Sequence, residues 1–340
     1  MKPRTIAELA IIALVAVVVA AASYVSQNRW SQAKVTGAPL FPGLTAQSAK
    51  IARIELRQGD KKLALERKDQ GWVVADRGGY PAKADAVRTL LVRLGEAELV
   101  EPKTRKSDRF AMLELEDAGA KDTKSREVRL LDQQGSVLAQ AIIGKKRYDA
   151  FGANQAGTYV RWPEDAQAWL TSSDIVVSAA PRDWVVPAVL EVEAPKITSL
   201  TVEIPNEAPL RIERDGSEGG KHKLVSIPQG KKLKQGADVD AVVRAVAGIE
   251  LDDVRKLDEA ASGEVGTARF EADGGLEVTL RLRKQGEDTW VSIAATAKGD
   301  GDGKKAAETI TNRTKGWEFK IPASKATAIL KRPDDLFEAS

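Results

Sequence analysis

The chain has 340 residues, 52 of them basic and 49 acidic, with one histidine, no cysteine and a formal net charge of +3. Without thiols there are no disulfides, cysteine nucleophiles, cysteine-ligated zinc or iron–sulfur sites, and no lipid attachment through an N-terminal cysteine. The near-even charge excludes a dedicated nucleic-acid binder, and the length predicts more than one folded unit.

In chain order, the first element is residues 6–24 (IAELAIIALVAVVVAAASY), apolar apart from Glu8 and preceded by Lys2 and Arg4. As a helix this run spans roughly 28 Å, close to a bilayer's hydrocarbon core. The two basic residues before it predict a cytoplasmic N-terminus and a body exported to the periplasmic or extracytoplasmic side. A signal peptide cut after Ala22 is the competing reading, since residues 20–22 are small. The apolar run is, however, longer than the usual core of such peptides. The chain accordingly divides into a tip and transmembrane anchor (1–26), a polar stalk (27–48), and two α+β modules (49–190 and 191–340).

The first module opens with Ile51…Ile54-Glu55-Leu56, Leu63-Ala64-Leu65-Glu66-Arg67 and Gly71-Trp72-Val73-Val74, alternating apolar and polar residues as half-buried strands do. Gln58-Gly59-Asp60 and Asp69-Gln70-Gly71 are turn chemistry, which predicts an antiparallel meander. Val87, Leu90, Leu91 and Leu94 then form one stripe of an amphipathic helix ending near Gly95. The second module repeats the order: Ile197…Leu200…Val202, Leu210…Ile212, His222…Leu224, then the helical stripe Val239, Val242, Val243, Val246 before Gly248.

Further on, Val128-Arg129-Leu130 corresponds to Val278-Thr279-Leu280, and the segment 157–163 to 316–322. A short helix is expected after each proline, at 166–170 and 325–330. This reads as a diverged internal repeat, each copy an antiparallel sheet with one packed helix. Residues 298–305 (KGDGDGKK) read as a polar loop.

No constellation predicts chemistry. His222 has no second histidine to share a metal or a triad, so it reads as an exposed or half-exposed structural residue. Asp300-Gly301-Asp302-Gly303 has the start of a calcium loop, but Lys304 and Lys305 occupy positions where such a loop needs a ligand and a glycine. Asp252-Asp253 and Asp334-Asp335 are sequence neighbours, which diverge on regular structure and make poor acid–base partners. Phosphate-cradling glycine loops and a nucleophile elbow do not occur. Catalytic, cofactor-binding and metal-ligating residues are therefore expected to be none. Of the tryptophans, Trp72, Trp162, Trp290 and Trp317 sit in strand patterns and read as core. Trp169 and Trp184 flank Ile175 and Val177, and these four are the candidate partner interface.

The order Phe41-Pro42-Gly43-Leu44, Ile54-Glu55-Leu56, Gly71-Trp72-Val73-Val74, Pro81-Ala82, helix 87–94 and Gly157-Thr158-Tyr159-Val160-Arg161 behind a single anchor resembles the DUF4340 family of bacterial proteins. The second copy departs by placing Lys223-Leu224 where the first has Trp72. The resemblance implies a non-enzymatic accessory or scaffold subunit, single-pass in the cytoplasmic membrane, beside an ABC-type permease and a gliding-motility-type auxiliary subunit. The alternative is an extracytoplasmic module that binds an envelope lipid or glycan.

Overall fold

The computed structural model describes residues 37–153, 155–216, 221–225 and 232–338, with the side chain of Asp334 excepted. The expected anchor at 6–24, its possible cleavage site at Ala22, and Trp30 lie outside the described residues. Among the described residues no helix is long and apolar enough to cross a membrane.

The chain is mixed α+β with antiparallel sheets. Its first ten strands are β1 (Ala38–Pro39), β2 (Arg53–Gln58), β3 (Lys61–Lys68), β4 (Gly71–Val74), β5 (Tyr80–Pro81), β6 (Glu98–Pro102), β7 (Arg126–Leu131), β8 (Val137–Arg147), β9 (Gly157–Arg161) and β10 (Trp169–Thr171). Helix α1 (Ala84–Gly95) lies between β5 and β6. The later strands are β11 (Ala188–Glu191), β12 (Ile197–Glu203), β13 (Leu210–Arg214), β14 (His222–Leu224), β15 (Gly248–Glu250), β16 (Asp253–Lys256), β17 (Glu264–Ala272), β18 (Leu276–Gln285), β19 (Asp288–Ala297) and β20 (Trp317–Ile321). Three helices accompany them: α2 (Val239–Ala247), α3 (Asp302–Thr314) and α4 (Ala323–Ile329).

Two compact units divide these elements. One holds the described residues through Lys62 together with Arg88–Ala179; the other holds Leu63–Val87 together with the residues from Ala180 onward. In the first unit the strand order is β1-β6-β10-β9-β8-β7-β2, with every neighbouring pair antiparallel. Residues 37–48, the end of the segment read as a stalk, belong to this unit: Ala38 and Pro39 pair with β6, and Leu40 and Leu44 are buried.

In the second unit the main sheet runs β14-β13-β12-β17-β18-β19-β20-β16, again antiparallel throughout. The meander β3-β4-β5 and the separate pair β11–β15 complete it. Six strands recur in one order: β2-β7-β8-β9-β10-β6 in the first unit and β12-β17-β18-β19-β20-β16 in the second. The helical stripes behave as their periodicity requires, since Val87, Leu90 and Leu94, and likewise Val242, Val243 and Val246, are buried.

The structure corrects four local expectations. Strand β7 corresponds to β17 rather than to β18, and β10 rather than β9 corresponds to β20. The reason lies in β17, where the buried alternation falls on Gly266, Ala268, Phe270 and Ala272, and small residues do not announce a strand. Residues 166–170 are not a helix: Trp169–Thr171 pairs with both β9 and β6. The second half of 298–305 is not a loop, because α3 begins at Asp302 with Ala307 and Ile310 turned into the core. Besides the two helices expected in the second unit, the described residues there thus include the helix from Asp302 and a four-residue helix at Pro333–Leu336.

Within the second unit, the turn after β4 is fixed against the sheet edge formed by β20 and β16. The ring of Tyr80 meets Trp317 edge-on at 4.9 Å and Phe319 at 6.0 Å between centroids. Arg77 Nε donates to Asp253 Oδ1 at 2.6 Å, and the Lys256 amine lies over the Trp317 ring at 3.6 Å. Gly78 sits at φ 67° with Lys256 and Trp317 close against it, a backbone geometry and a space that suit glycine. Edge-on aromatic pairs stabilise beyond the area they bury, so this contact is a principal fastening of the segment 63–87. Tyr80→Ala is expected to lower stability by about 3 kcal/mol, and Tyr80→Phe by under about 1 kcal/mol, in urea titrations followed by tryptophan fluorescence. Equal losses for the two variants would show that the ring contacts are not the fastening.

Candidate functional site

The four residues of the candidate interface are placed by two different units: Trp169, Ile175 and Val177 in the first, Trp184 in the second. Ile175 and Val177 are 4 % exposed, and so is Trp184. Their side chains serve the core and do not present a contact surface; the exposed residue of that stretch is Val176. Trp169 is half-buried, and its indole Nε1 is buried without a hydrogen-bond partner among the described residues. Sequence pattern does not show this, because in irregular chain the inward turn of Ile175 and Val177 around exposed Val176 leaves no strand or helix period to mark which residues are buried.

The Gly157…Arg161 motif is likewise structural. A Cβ at Gly157 would lie 2.5 Å from the Thr171 carbonyl, so the close approach of β9 and β10 requires glycine. Arg161 is buried, donates to the carbonyls of Leu115, Trp162 and Pro163, and stacks over Phe110 at 4.7 Å. Burial lowers its pKa, with Asp117 and Asp165 opposing.

His222 is half-buried as a residue, but its side chain is only 2 % exposed, more enclosed than the sequence predicts. The Asp240 carboxylate lies 2.8 Å from Nδ1 and accepts the His222 backbone N–H at 3.0 Å, while Nε2 faces the Ile197 carbonyl at 2.9 Å. Both ring nitrogens are thereby engaged in tying β14 to the first turn of α2 and to the start of β12. The adjacent carboxylates diverge as expected, since Asp252 accepts from Arg182 and Asp253 from Arg77. A buried carboxylate that sequence reasoning missed is Glu318, fully enclosed in β20. Arg255 holds its Oε2 at 2.9 Å and Arg283 its Oε1 at 2.5 Å. Arg255 also stacks on Trp290 at 3.9 Å, and Arg283 donates to the Asp258 and Ala261 carbonyls. This triad staples β16, β18 and β20 together.

A concavity lies elsewhere in the second unit. It is an open cleft of about 690 Å³ built where α2 runs directly into β15, β11 pairs with β15, and α4 follows β20 at Pro322. Asp238 caps α2, its side chain accepting from the Ala241 N–H at 2.9 Å, which fixes where the helix starts. Ala188, Pro322 and Ala328 are half-buried at its surface, and Leu190, Ala245 and Ile249 are buried beneath them. The wall is charged, and most of its charge is spoken for. Arg182 pairs with Glu250 and Asp252, Arg244 with Asp238 at 2.6 Å, and Glu191 with Arg313 at 3.8 Å. The Lys325 amine makes no ion pair among the described residues. Burial lowers its pKa, and Glu250 opposes that more weakly. No sequence signal marks this cleft, because its lining comes from four separated stretches of chain. Among the described residues no group of acidic or histidine side chains could hold a metal ion.

The chain matches the family described as domain of unknown function (DUF4340) over residues 72–272, more than half its length, and belongs to that family. No curated protein and no solved structure matches it.

Two expectations follow. Removing the carboxylate in Glu318→Gln leaves two arginines facing each other's charge and should cost about 3 kcal/mol in chemical denaturation. For Lys325 the sign runs the other way. A lysine whose folded pKa is depressed costs stability while protonated, and the cost fades as pH rises toward the ordinary 10.5. Lys325→Met should therefore unfold at a higher urea concentration than the parent at pH 7, with the gap closing toward pH 10.5. A gap that stays constant across that range would refute the assignment.

Proposed function

We propose that this DUF4340 protein is a non-enzymatic accessory subunit, anchored in the cytoplasmic membrane by residues 6–24, whose two modules project outside the cytoplasm and bind subunits of an ABC-type transport assembly. The observation that carries this reading is the apolar run behind Lys2 and Arg4, which is long enough to span a bilayer and is oriented by its basic flank. The recurring six-strand order adds to it, because a duplicated module supplies two related surfaces on one polypeptide. The ionic groups add to it as well: Asp252, Asp253, Glu250 and Glu318 are each taken up in ion pairs that fasten the fold.

The test is affinity purification of the full-length protein from detergent-solubilised membranes. Recovery of a permease and an auxiliary subunit with a large extracytoplasmic part is the expected result. Repeated recovery of the protein alone, or its presence in the soluble cytosolic fraction, would overturn the reading.

A further inference from the structure

We infer that one end of the first unit's sheet, where Tyr148 and Val176 stand exposed, lies in the headgroup zone of the bilayer that holds the anchor; this rests on the anchored reading proposed above. The anchor limits how far the first unit can stand from the bilayer. Even fully extended, the chain from Tyr24 to Ala38 spans at most about 50 Å. Ala38 opposes Leu99, and Leu99 opposes Thr171. The Thr171 hydroxyl donates to the Thr158 carbonyl at 3.0 Å, and Thr158 opposes Lys146. One rung of the sheet therefore runs from β1 through β6, β10 and β9 to β8, about 19 Å across, and Tyr148 lies just past its far end. The segment that arrives from the anchor and the exposed pair share one end of the unit.

The chemistry of the pair suits that zone. Tyr148 is 74 % exposed and Val176 69 %. The Lys146 amine lies over the Tyr148 ring at 4.9 Å and pairs with Asp174 Oδ2 at 2.6 Å, which brings the two stretches together and braces the ring. The Ile175 N–H donates to the Thr158 hydroxyl at 2.9 Å, and Ile175 and Val177 turn inward, so Val176 faces out. A phenol ring under an ammonium, beside a valine, has an apolar body and polar tips, the combination found between headgroups and acyl chains. Net charge does not select this surface, because Lys145, Lys146 and Arg147 stand among Glu101, Asp149 and Asp174. The contact is therefore apolar and interfacial, and a zwitterionic bilayer suffices for it. Weak affinity is enough as well, since docking of an anchored unit is intramolecular.

Because the chain has no cysteine, single cysteines can be placed and labelled cleanly. Ala153→Cys falls in the β8–β9 connection with Tyr148, and Gln134→Cys in the β7–β8 connection at the opposite end of β8; both positions are exposed. Each variant is labelled with bimane as full-length protein in phosphatidylcholine nanodiscs, with and without lipids that carry a headgroup nitroxide. The nitroxide should quench the label at position 153 and leave that at position 134 bright. Adding Tyr148→Ser and Val176→Ser should lower the ratio of docked to free states, read from quenching at position 153, by about tenfold. Circular dichroism checks that each variant is folded. Equal quenching at both positions, none at either, or quenching that the serine pair leaves unchanged would overturn the inference; a surface kept for a partner protein alone gives none at either. Co-elution with the disc reports on the anchor separately. Protein that stays off the disc overturns both readings, whereas protein on the disc without quenching at position 153 overturns this one alone.

Discussion

The antiparallel ladder between the first strand of each repeat and the strand beyond its helix is the contact on which the architecture rests. In one unit β2 pairs with β7, Ile54 opposite Leu130 and Leu56 opposite Val128; in the other β12 pairs with β17, Leu200 opposite Phe270 and Val202 opposite Ala268. Each pairing closes a long loop that contains the helix, which costs chain entropy before any contact is made. What offsets that cost is the burial of the matched apolar residues on one face, together with the hydrogen bonds of the ladder. Once this central pair exists, β8, β9 and β10, or β18 and β19, add by short connections. The position of β6 and β16 beside the last strand follows from the same closure.

Charge in this protein does two kinds of work. In the core of the second sheet it serves specificity of pairing: the Arg255–Glu318–Arg283 triad is costly to desolvate and costlier to break, and it crosses three strands that a register slip would misalign. At the cleft the ion pairs of Arg182 and Arg244 brace the wall, and Lys325 lines it without an ion pair among the described residues. The distinction between the two is made by partners and not by residue type. A count of lysines and arginines would never have separated them.

Much of the fold was legible. Period-2 alternation marked β2, β3, β4, β12 and β13, and the two valine- and leucine-rich stripes marked α1 and α2, because burial of one face leaves its period in the sequence. The failures have one cause. Where the buried positions are small, as in β17, or the strand is only three residues long, as in β10, the period is too faint to read. The start of α3 was hidden for a related reason, since glycine and aspartate at Asp302-Gly303 look like a turn until Ala307 and Ile310 find a core to enter.

The site was less legible than the fold. His222 reads from the sequence as an exposed or half-exposed structural residue; as a residue it is half-buried, but its ring is enclosed because Asp240 and the Ile197 carbonyl converge on it from elements that sequence cannot bring together. Trp184, Ile175 and Val177, read as exposed, are core. The sequence by itself determined the strongly periodic strands and the two amphipathic helices, membership of the DUF4340 family and the absence of thiol chemistry, because these depend on local order and residue type. Only the tertiary structure decided which charges are partnered and where the cleft opens, because both arise when residues far apart in the chain meet and exclude water from each other.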